Sequence, residues 1–244
     1  MFSRIDRFEA IPNGIAVYCG SASLWVEFAD TCALRIRFLP NGIWRQEETF
    51  VVESVPETAI GVSVSETAEH ITMTNGSINV TLGRDPFTMC VMDKRGNIVF
   101  NTAPNGFEAK EGCVVQRMEF SRDERIYGLG QGAFSRLDLR GLERRMWHEW
   151  RIGRHSGPAG IPFMLSSRGY GLLLNASWPS RFVIGEGKLA PLPNLERSAK
   201  SAVAPWPGDQ PSGEEDPKRI SLVLDNDQLD CFLVVDSDFG ELLR

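Results

Sequence analysis

The sequence lacks several features that would assign a chain to a large protein class at once. It has no run of about 18 apolar residues, so no membrane-spanning helix and no membrane partner are expected. Its five cysteines are scattered and form no Cys-x-x-Cys pair, which predicts free, buried thiols. The net charge of −6 lacks the basic excess that phosphate backbones require, so no nucleic-acid partner is expected.

The first ten residues also lack the apolar stretch of a secretory signal. Arg4, Asp6, Arg7 and Glu9 interrupt them, which predicts a cytoplasmic chain for the sequence as it stands. The composition of 42% hydrophobic and 24% charged residues over 244 positions is typical of a globular domain with a real core.

The dominant pattern is an alternation of period two. Ala33–Phe38 places Leu34, Ile36 and Phe38 on one face and arginines on the other, and Asp93–Asn97 has a hairpin signature. We find no intervening helices of the length that parallel folds need. The pattern predicts an all-β, antiparallel β-sandwich. Its further strands are predicted at Ile15–Cys19, Leu24–Phe28, Ile60–Val64, Ile78–Leu82, Phe87–Met92, Ile98–Phe100, Val114–Phe120, Gly171–Asn175, Arg181–Ile184, Ile220–Leu224 and Cys231–Val235.

Two stretches interrupt this pattern. Arg140–Pro158 has poor periodicity, and Ala190–Pro217 is too rich in proline for a central strand. Long loops inside compact domains are often functional. After the last strand, Asp238 and Glu241 have the spacing of a capping box, which predicts the first turn of a helix.

Four motifs of catalytic or binding chemistry are incomplete. Gly128–Ala133 fits a loose dinucleotide pattern but lacks the flanking strand and helix, which favours a glycine-rich bend between close strands. His148–Ile152 begins like a zinc-protease helix without its second histidine, so no metal and no cofactor are predicted. Ser166–Gly169 is not a nucleophile elbow. No pair of acids stands in a recognisable catalytic setting.

Tryptophans lie in or beside the irregular stretches. Trp147, Trp150, Trp178 and Trp206 could stack on sugar rings through their apolar faces, or could simply pack their loops.

Two segments carry a family resemblance. Ile126–Gln131 followed by Leu137–Gly141, and then Ile161–Asn175, resemble the N-terminal β-sandwich of glycoside hydrolase family 31 in order and spacing. The hairpin at Asp85–Phe100 and the strand at Leu229–Val234 are also similar to that family.

The resemblance implies a sandwich of the galactose mutarotase-like supersandwich type over residues 1–235. It further implies that residues 236–244 begin a helix leading to a catalytic (β/α)8 barrel, which this sequence does not contain. The family's two catalytic carboxylates are therefore absent, and no catalytic residue is assigned. The partners implied are a C-terminal barrel of the same polypeptide and a carbohydrate substrate.

The resemblance also places a substrate-pocket loop between Leu142 and Gly160. Its candidate sugar-facing residues are Trp147, His148, Trp150, Arg151 and His155. The sequence departs there from the family's common pattern, so the glycoside is not assigned.

Three roles remain open at this point. The leading hypothesis is a non-catalytic domain of a retaining α-glycosidase. The alternative is a stand-alone carbohydrate-binding or mutarotase-like protein, in which His148 or His155 would act with Glu149 or Glu186. An apolar face without its barrel also leaves open a homo-oligomer.

Overall fold

The structure is a computed structural model that describes residues 1–49, 51–52, 59–130, 137–146, 160–185, 188–189, 218–236 and 238–242. The described residues are almost entirely β-strand and form two sheets. The predicted antiparallel sandwich is therefore confirmed.

The first sheet has eight strands within the described part of the chain. In spatial order they are β1 (Arg7–Ile11), β2 (Gly14–Cys19), β3 (Ala22–Asp30), β4 (Ala33–Leu39), β18 (Leu229–Val235), β14 (Tyr170–Leu174), β13 (Phe163–Ser166) and β11 (Ile126–Gly128).

The second sheet has ten strands, counted over the same residues. In spatial order they are β16 (Lys188–Leu189), β12 (Leu142–Arg145), β15 (Ser180–Ile184), β17 (Arg219–Leu224), β10 (Cys113–Glu119), β9 (Ile98–Lys110), β8 (Phe87–Met92), β7 (Asn79–Arg84), β6 (His70–Thr74) and β5 (Ser63–Glu66). Neighbouring strands pair antiparallel except β12 and β16, which are parallel.

The core lies between the two sheets because alternate side chains of each strand point inward. A ring cluster joins the sheets at the chain's start. Phe2 and Phe87 have ring centroids 4.9 Å apart, and Phe38 and Phe107 have centroids 5.5 Å apart. All four are at most 1% exposed.

Three strand predictions need correction. The strand predicted at Ile60–Val64 begins at Ser63, because β5 is an exposed edge strand whose position is fixed by pairing with β6. Ile60 instead packs on the core. Strand β9 continues to Lys110, well past the predicted Phe100. The stretch Arg140–Pro158 was treated as irregular, yet its residues Leu142–Arg145 form β12.

The cysteines are all free, as predicted, but only Cys231 is buried. Burial raises the pKa of the Cys231 thiol far above its ordinary value, which keeps it protonated.

The first sheet has two distinct ends along its strands. At one end, which we call the helix end, Tyr170 lies opposite Val235, and the amide of Asp236 donates to Gly169 O at 3.1 Å. The helical turn α1 (Phe239–Leu242) follows, with Asp238 Oδ1 accepting the Gly240 amide at 2.7 Å. No helix among the described residues is long and apolar enough to span a membrane.

At the other end, which we call the cleft end, Leu229 pairs with Phe38, and the turn at residues 175–179 crosses from β14 to β15. In the second sheet, Ser180 and Leu224 lie at this same end.

Replacing Phe38 with alanine should lower the free energy of unfolding by about 3–5 kcal/mol, because it removes a fully buried ring from the cluster that joins the sheets. Val64 is 39% exposed, so Val64→Ala should change stability by no more than about 0.5 kcal/mol. Urea unfolding of both variants provides the measurement, and equal costs would contradict this placement of the core.

Candidate functional site

The five residues predicted to face a sugar, Trp147, His148, Trp150, Arg151 and His155, lie outside the described residues. The residues that flank this segment are described. Met146 N donates to Ser180 O at 2.7 Å, and a Cβ on Gly160 would lie 3.2 Å from Met146 Sδ. Segment 147–159 therefore begins and ends at one point, and that point is at the cleft end.

One further segment follows a strand that ends at the same end. Gly128 lies opposite Met164 near the start of β13, so residue 131 follows from the cleft end of β11. Strand β16 runs parallel to β12 with Glu143 opposite Leu189, so β16 points toward the cleft end from the middle of β12. The predicted long loop Ala190–Pro217 itself lies outside the described residues.

The bend that precedes residue 131 has an unusual backbone. Gly128, Leu129 and Gly130 have φ angles of 88°, 57° and 80°, three consecutive residues in the left-handed region. Leu129 holds this conformation while fully buried, and its amide donates to Phe163 O at 2.8 Å. The carbonyl of Leu129 accepts from Arg144 Nη2 at 2.8 Å. The predicted close bend between strands is confirmed for these three residues, and such strain is concentrated at functional positions.

Asp138 follows segment 131–136 and fixes the chain where that segment ends. Its carboxylate accepts from Arg125 Nη1 at 2.8 Å and from the amides of Arg140 and Ile126 at 3.1 and 3.3 Å. Burial opposes its ionisation, but these hydrogen bonds outweigh burial and lower the pKa of Asp138 below its ordinary value.

A buried carboxylate fixes the helix end of β13 and β14. Glu124 is 2% exposed and accepts from Ser166 Oγ at 2.6 Å and from the Tyr170 hydroxyl at 3.0 Å. Burial, and then the nearby Glu124 charge, raise the pKa of Tyr170 well above its usual value, so the phenol stays protonated and donates. Ser166 is thus a structural donor, in agreement with the absence of a nucleophile elbow.

Sequence reasoning missed Glu124 because its partners lie 42 and 46 residues away. A buried acid in a turn has no local signature in the sequence. Asp138, by contrast, stands inside the Leu137–Gly141 motif that was singled out.

A small polar cleft, open to solvent, lies at the cleft end. Trp44, Glu47 and Thr49 enter it from the segment after β4, and Asn175 and Asn226 enter it from the turns after β14 and β17. The Asn226 amide lies 3.0 Å from both Glu47 oxygens, and Thr49 Oγ1 donates to Asn175 Oδ1 at 2.5 Å. Sequence analysis identified none of these five residues as a site, since they come from three separate segments.

Among the described residues, no group of three or more histidine, cysteine or acidic side chains could hold a metal ion.

The fold and these anchors define a two-sheet antiparallel sandwich domain, with segment 147–159 flanked by residues at its cleft end. Residues 23–182 match the glycosyl hydrolase 31 N-terminal galactose mutarotase-like domain family, and the chain belongs to this family.

Relatives of the chain are α-glycoside enzymes several times its length. α-Glucosidase 2 of Bacillus thermoamyloliquefaciens is 27% identical over 59% of this chain and 18% of its own length. The α-xylosidase of Saccharolobus solfataricus is 29% identical over 42% of this chain and 15% of its own. The chain therefore matches less than a fifth of either relative.

Solved structures share the fold. A Flavobacterium johnsoniae family 31 dextranase, complexed with glucose, superposes with a TM-score of 0.79 at 18% identity and covers 99% of this chain and 27% of the dextranase. A soil-metagenome family 31 α-xylosidase, complexed with xylose, has a TM-score of 0.71 at 18% identity and covers 97% of this chain and 33% of the xylosidase.

Alanine at Gly128 should destabilise the chain more than alanine at Gly76. The two glycines have nearly equal φ angles of 88° and 87°, so both substitutions carry about 1–2 kcal/mol of left-handed strain. Only at Gly128 does the new Cβ meet backbone, 2.5 Å from Phe163 O, whereas nothing lies within 4 Å at Gly76. We expect an additional cost of about 1–3 kcal/mol in chemical denaturation for Gly128→Ala. Equal losses of unfolding free energy in the two variants would contradict a close approach of β11 to β13 that excludes a Cβ.

Asp138→Asn should alter the pH dependence of stability. Because folding lowers the pKa of Asp138, its contribution is complete above the unfolded carboxyl value of about 3.9 and is lost as pH falls through the lower folded value. The variant should be less stable by up to about 1 kcal/mol from pH 5 to 7, since half-exposed Arg125 limits the ion pair, and the deficit should shrink below about pH 4.

The matched control is Asp123→Asn, an exposed acid in the turn that precedes Arg125, which should show no such pH-dependent deficit. Thermal melts from pH 3 to 7 measure both variants. If the Asp138→Asn variant were as much less stable at pH 3 as at pH 7, its loss of stability would not come from the ionised carboxylate.

Proposed function

We propose that this chain is the non-catalytic N-terminal domain of a retaining α-glycosidase, in which it supports a (β/α)8 barrel and helps to wall the sugar pocket. The observation that carries the proposal is that the flanks of segment 147–159 and the helical turn α1 lie at opposite ends of the sandwich.

The distance between the two ends is comparable to the height of a (β/α)8 barrel, and the two faces of a barrel differ in function. The seven residues of β18 span about 20 Å, close to the length of a barrel strand with its adjoining loop. Barrel active sites lie at the carboxyl ends of the strands. A barrel entered from the helix end and lying along the sheet would therefore hold its active-site face level with the cleft end, where segment 147–159 leaves.

The outer face of the first sheet is apolar, which is a second argument for a neighbouring domain. Phe163, Leu173 and Phe232 lie opposite one another on β13, β14 and β18, and Leu165 and Val234 continue the patch. None of the five belongs to the hydrophobic core cluster, although Phe232 is 7% exposed and the other four are half-buried. Antiparallel sheets normally expose polar residues on the face turned away from the core, so an apolar outer face favours a docked partner.

The buried acids support a non-catalytic role. Glu124, Glu143 and Asp230 are the buried carboxylates of the described residues. Glu124 holds Ser166 and Tyr170, while Glu143 and Asp230 bind arginines, which leaves these acids committed to the fold. Retaining hydrolysis would instead use two carboxylates of the barrel, through a covalent glycosyl intermediate.

The names of the relatives favour an α-linked glucoside or xyloside as substrate of the longer enzyme. Within the loop, we propose that Trp147, His148, Trp150, Arg151 and His155 supply the wall of the pocket, because tryptophan rings and charged or amide groups are the side chains that contact sugars.

The 244-residue chain should leave p-nitrophenyl α-glucoside and p-nitrophenyl α-xyloside uncleaved, at the rate of buffer alone. Absorbance of released nitrophenol is the measurement, and hydrolysis at enzymatic rates would contradict the proposal. Polarimetry of freshly dissolved glucose and galactose provides the second arm. Accelerated mutarotation that is lost in His148→Ala or His155→Ala would overturn the proposal in favour of an epimerase.

A further inference from the structure

An exposed tryptophan is held in a fixed position at the cleft end. Trp178 is 50% exposed, although tryptophan has a large apolar area that normally favours burial. Its indole N–H donates to Glu47 Oε2 at 3.0 Å. An aromatic ring that is both exposed and oriented offers a flat apolar surface whose ordering cost is met before any ligand arrives.

The carboxylate that orients this ring also lines the neighbouring cleft. Glu47 is tied to Asn226, so the ring, the acid and the amide form one connected group contributed by three separate segments. The segment that carries Glu47 is itself pinned, because the Gln228 side chain exchanges two hydrogen bonds with the backbone of Arg45, at 2.7 and 3.1 Å.

The arginines near the cleft are paired with aspartates. Asp230 is paired with Arg35 at 2.8 Å, and Asp227 is paired with Arg45. Glu47 has no arginine partner among the described residues; its charge disfavours anions, and its oxygens accept from Trp178 and Asn226. At its rim, the exposed Gln46 amide makes no hydrogen bond to any described residue.

We propose that Trp178 and the polar groups at the rim of this cleft form an accessory binding site for a neutral glucose oligosaccharide. A pyranose ring stacks its C–H face on Trp178, and its hydroxyl groups donate to Glu47 and bond with the amides of Gln46 and Asn226. Sugars combine an apolar face with many uncharged donors and acceptors, which is the chemistry that the cleft presents. The site uses only residues of this chain, so it does not depend on a barrel and goes beyond the function proposed above.

The site is tested by titrating the ¹⁵N-labelled chain with isomaltotriose and maltotriose while following its six tryptophan indole N–H signals. Trp178→Phe identifies the Trp178 signal. We expect saturable shifts of that signal with at least one trisaccharide, and no shift with mannitol, a linear polyol that lacks the ring needed for stacking.

Two pairs of variants separate binding from folding. Trp178→Ala should weaken binding about tenfold or more, and Trp178→Phe should weaken it less because a ring remains. Glu47→Gln should weaken binding because the carboxylate acceptor is lost. Its control, Glu48→Gln, changes an exposed acid one residue further on and should bind as the parent does. Ile43→Ala, at a 71% exposed apolar residue of the same segment, is the control for lost hydrophobic surface.

The proposal is overturned if neither trisaccharide shifts the Trp178 signal up to tens of millimolar, if mannitol shifts it equally, or if Trp178→Ala or Glu47→Gln binds with parental affinity. If Trp178→Ala fails to fold, the affinity of Glu47→Gln relative to Glu48→Gln decides the outcome. Binding by this chain would stand even if the barrel proposal failed, so the two failures are distinguishable.

Discussion

The carboxylate of Asp230 holds together the three strands on which the rest of the sandwich depends. Asp230 lies on β18 and is 6% exposed. It receives both Nε and Nη2 of Arg35, on β4, at 2.9 and 2.8 Å, and the Asn175 amide, directly after β14, at 2.7 Å. A buried ion pair gains little net stability because desolvation offsets its attraction, but it strongly penalises the wrong pairing. Strand β18 comes from the far end of the chain, almost 200 residues after β4, and a one-residue slip would turn Asp230 into the core and its apolar neighbours outward.

The register fixed at Asp230 determines what lies at each end of the first sheet. With Leu229 opposite Phe38 and Val235 opposite Tyr170, the turns after β4, β14 and β17 meet at the cleft end. The same register brings Phe232 and Val234 onto the outer face beside Leu173 and Gly171. The polar cleft, the apolar outer face and the position of the helical turn are therefore consequences of one strand insertion. The proposed sugar contacts and the proposed barrel contact depend on it together.

The elements that could be predicted from the sequence are those whose interactions are local. The alternation in β4, the Asp93–Asn97 hairpin and the bend at Gly128 are determined by neighbouring residues, and the sequence predicted them. Strand β9 was cut short because Pro104-Asn105-Gly106 has the composition of a turn. In the structure, Asn105 has a φ of 55° and a Cβ on Gly106 would lie 2.6 Å from Arg117 O, so these residues form an irregularity within a continuing strand. Glu124 and the cleft residues were not predicted because their partners are distant along the chain.

The residues that carry the family resemblance are mostly those that build the scaffold. Gly128 leaves room for Phe163 O, and Asp138 binds Arg125. The Tyr170 hydroxyl donates to Glu124, and the Asn175 amide donates to Asp230. Such positions are constrained by backbone geometry and burial, and neither depends on which sugar an enzyme takes. The sequence departs from the family's common pattern in segment 147–159, which lies outside the described residues. A scaffold held by internal contacts can keep its loop ends in place while the loop between them changes, so membership in the family can be recognised from the motifs while the choice of glycoside cannot.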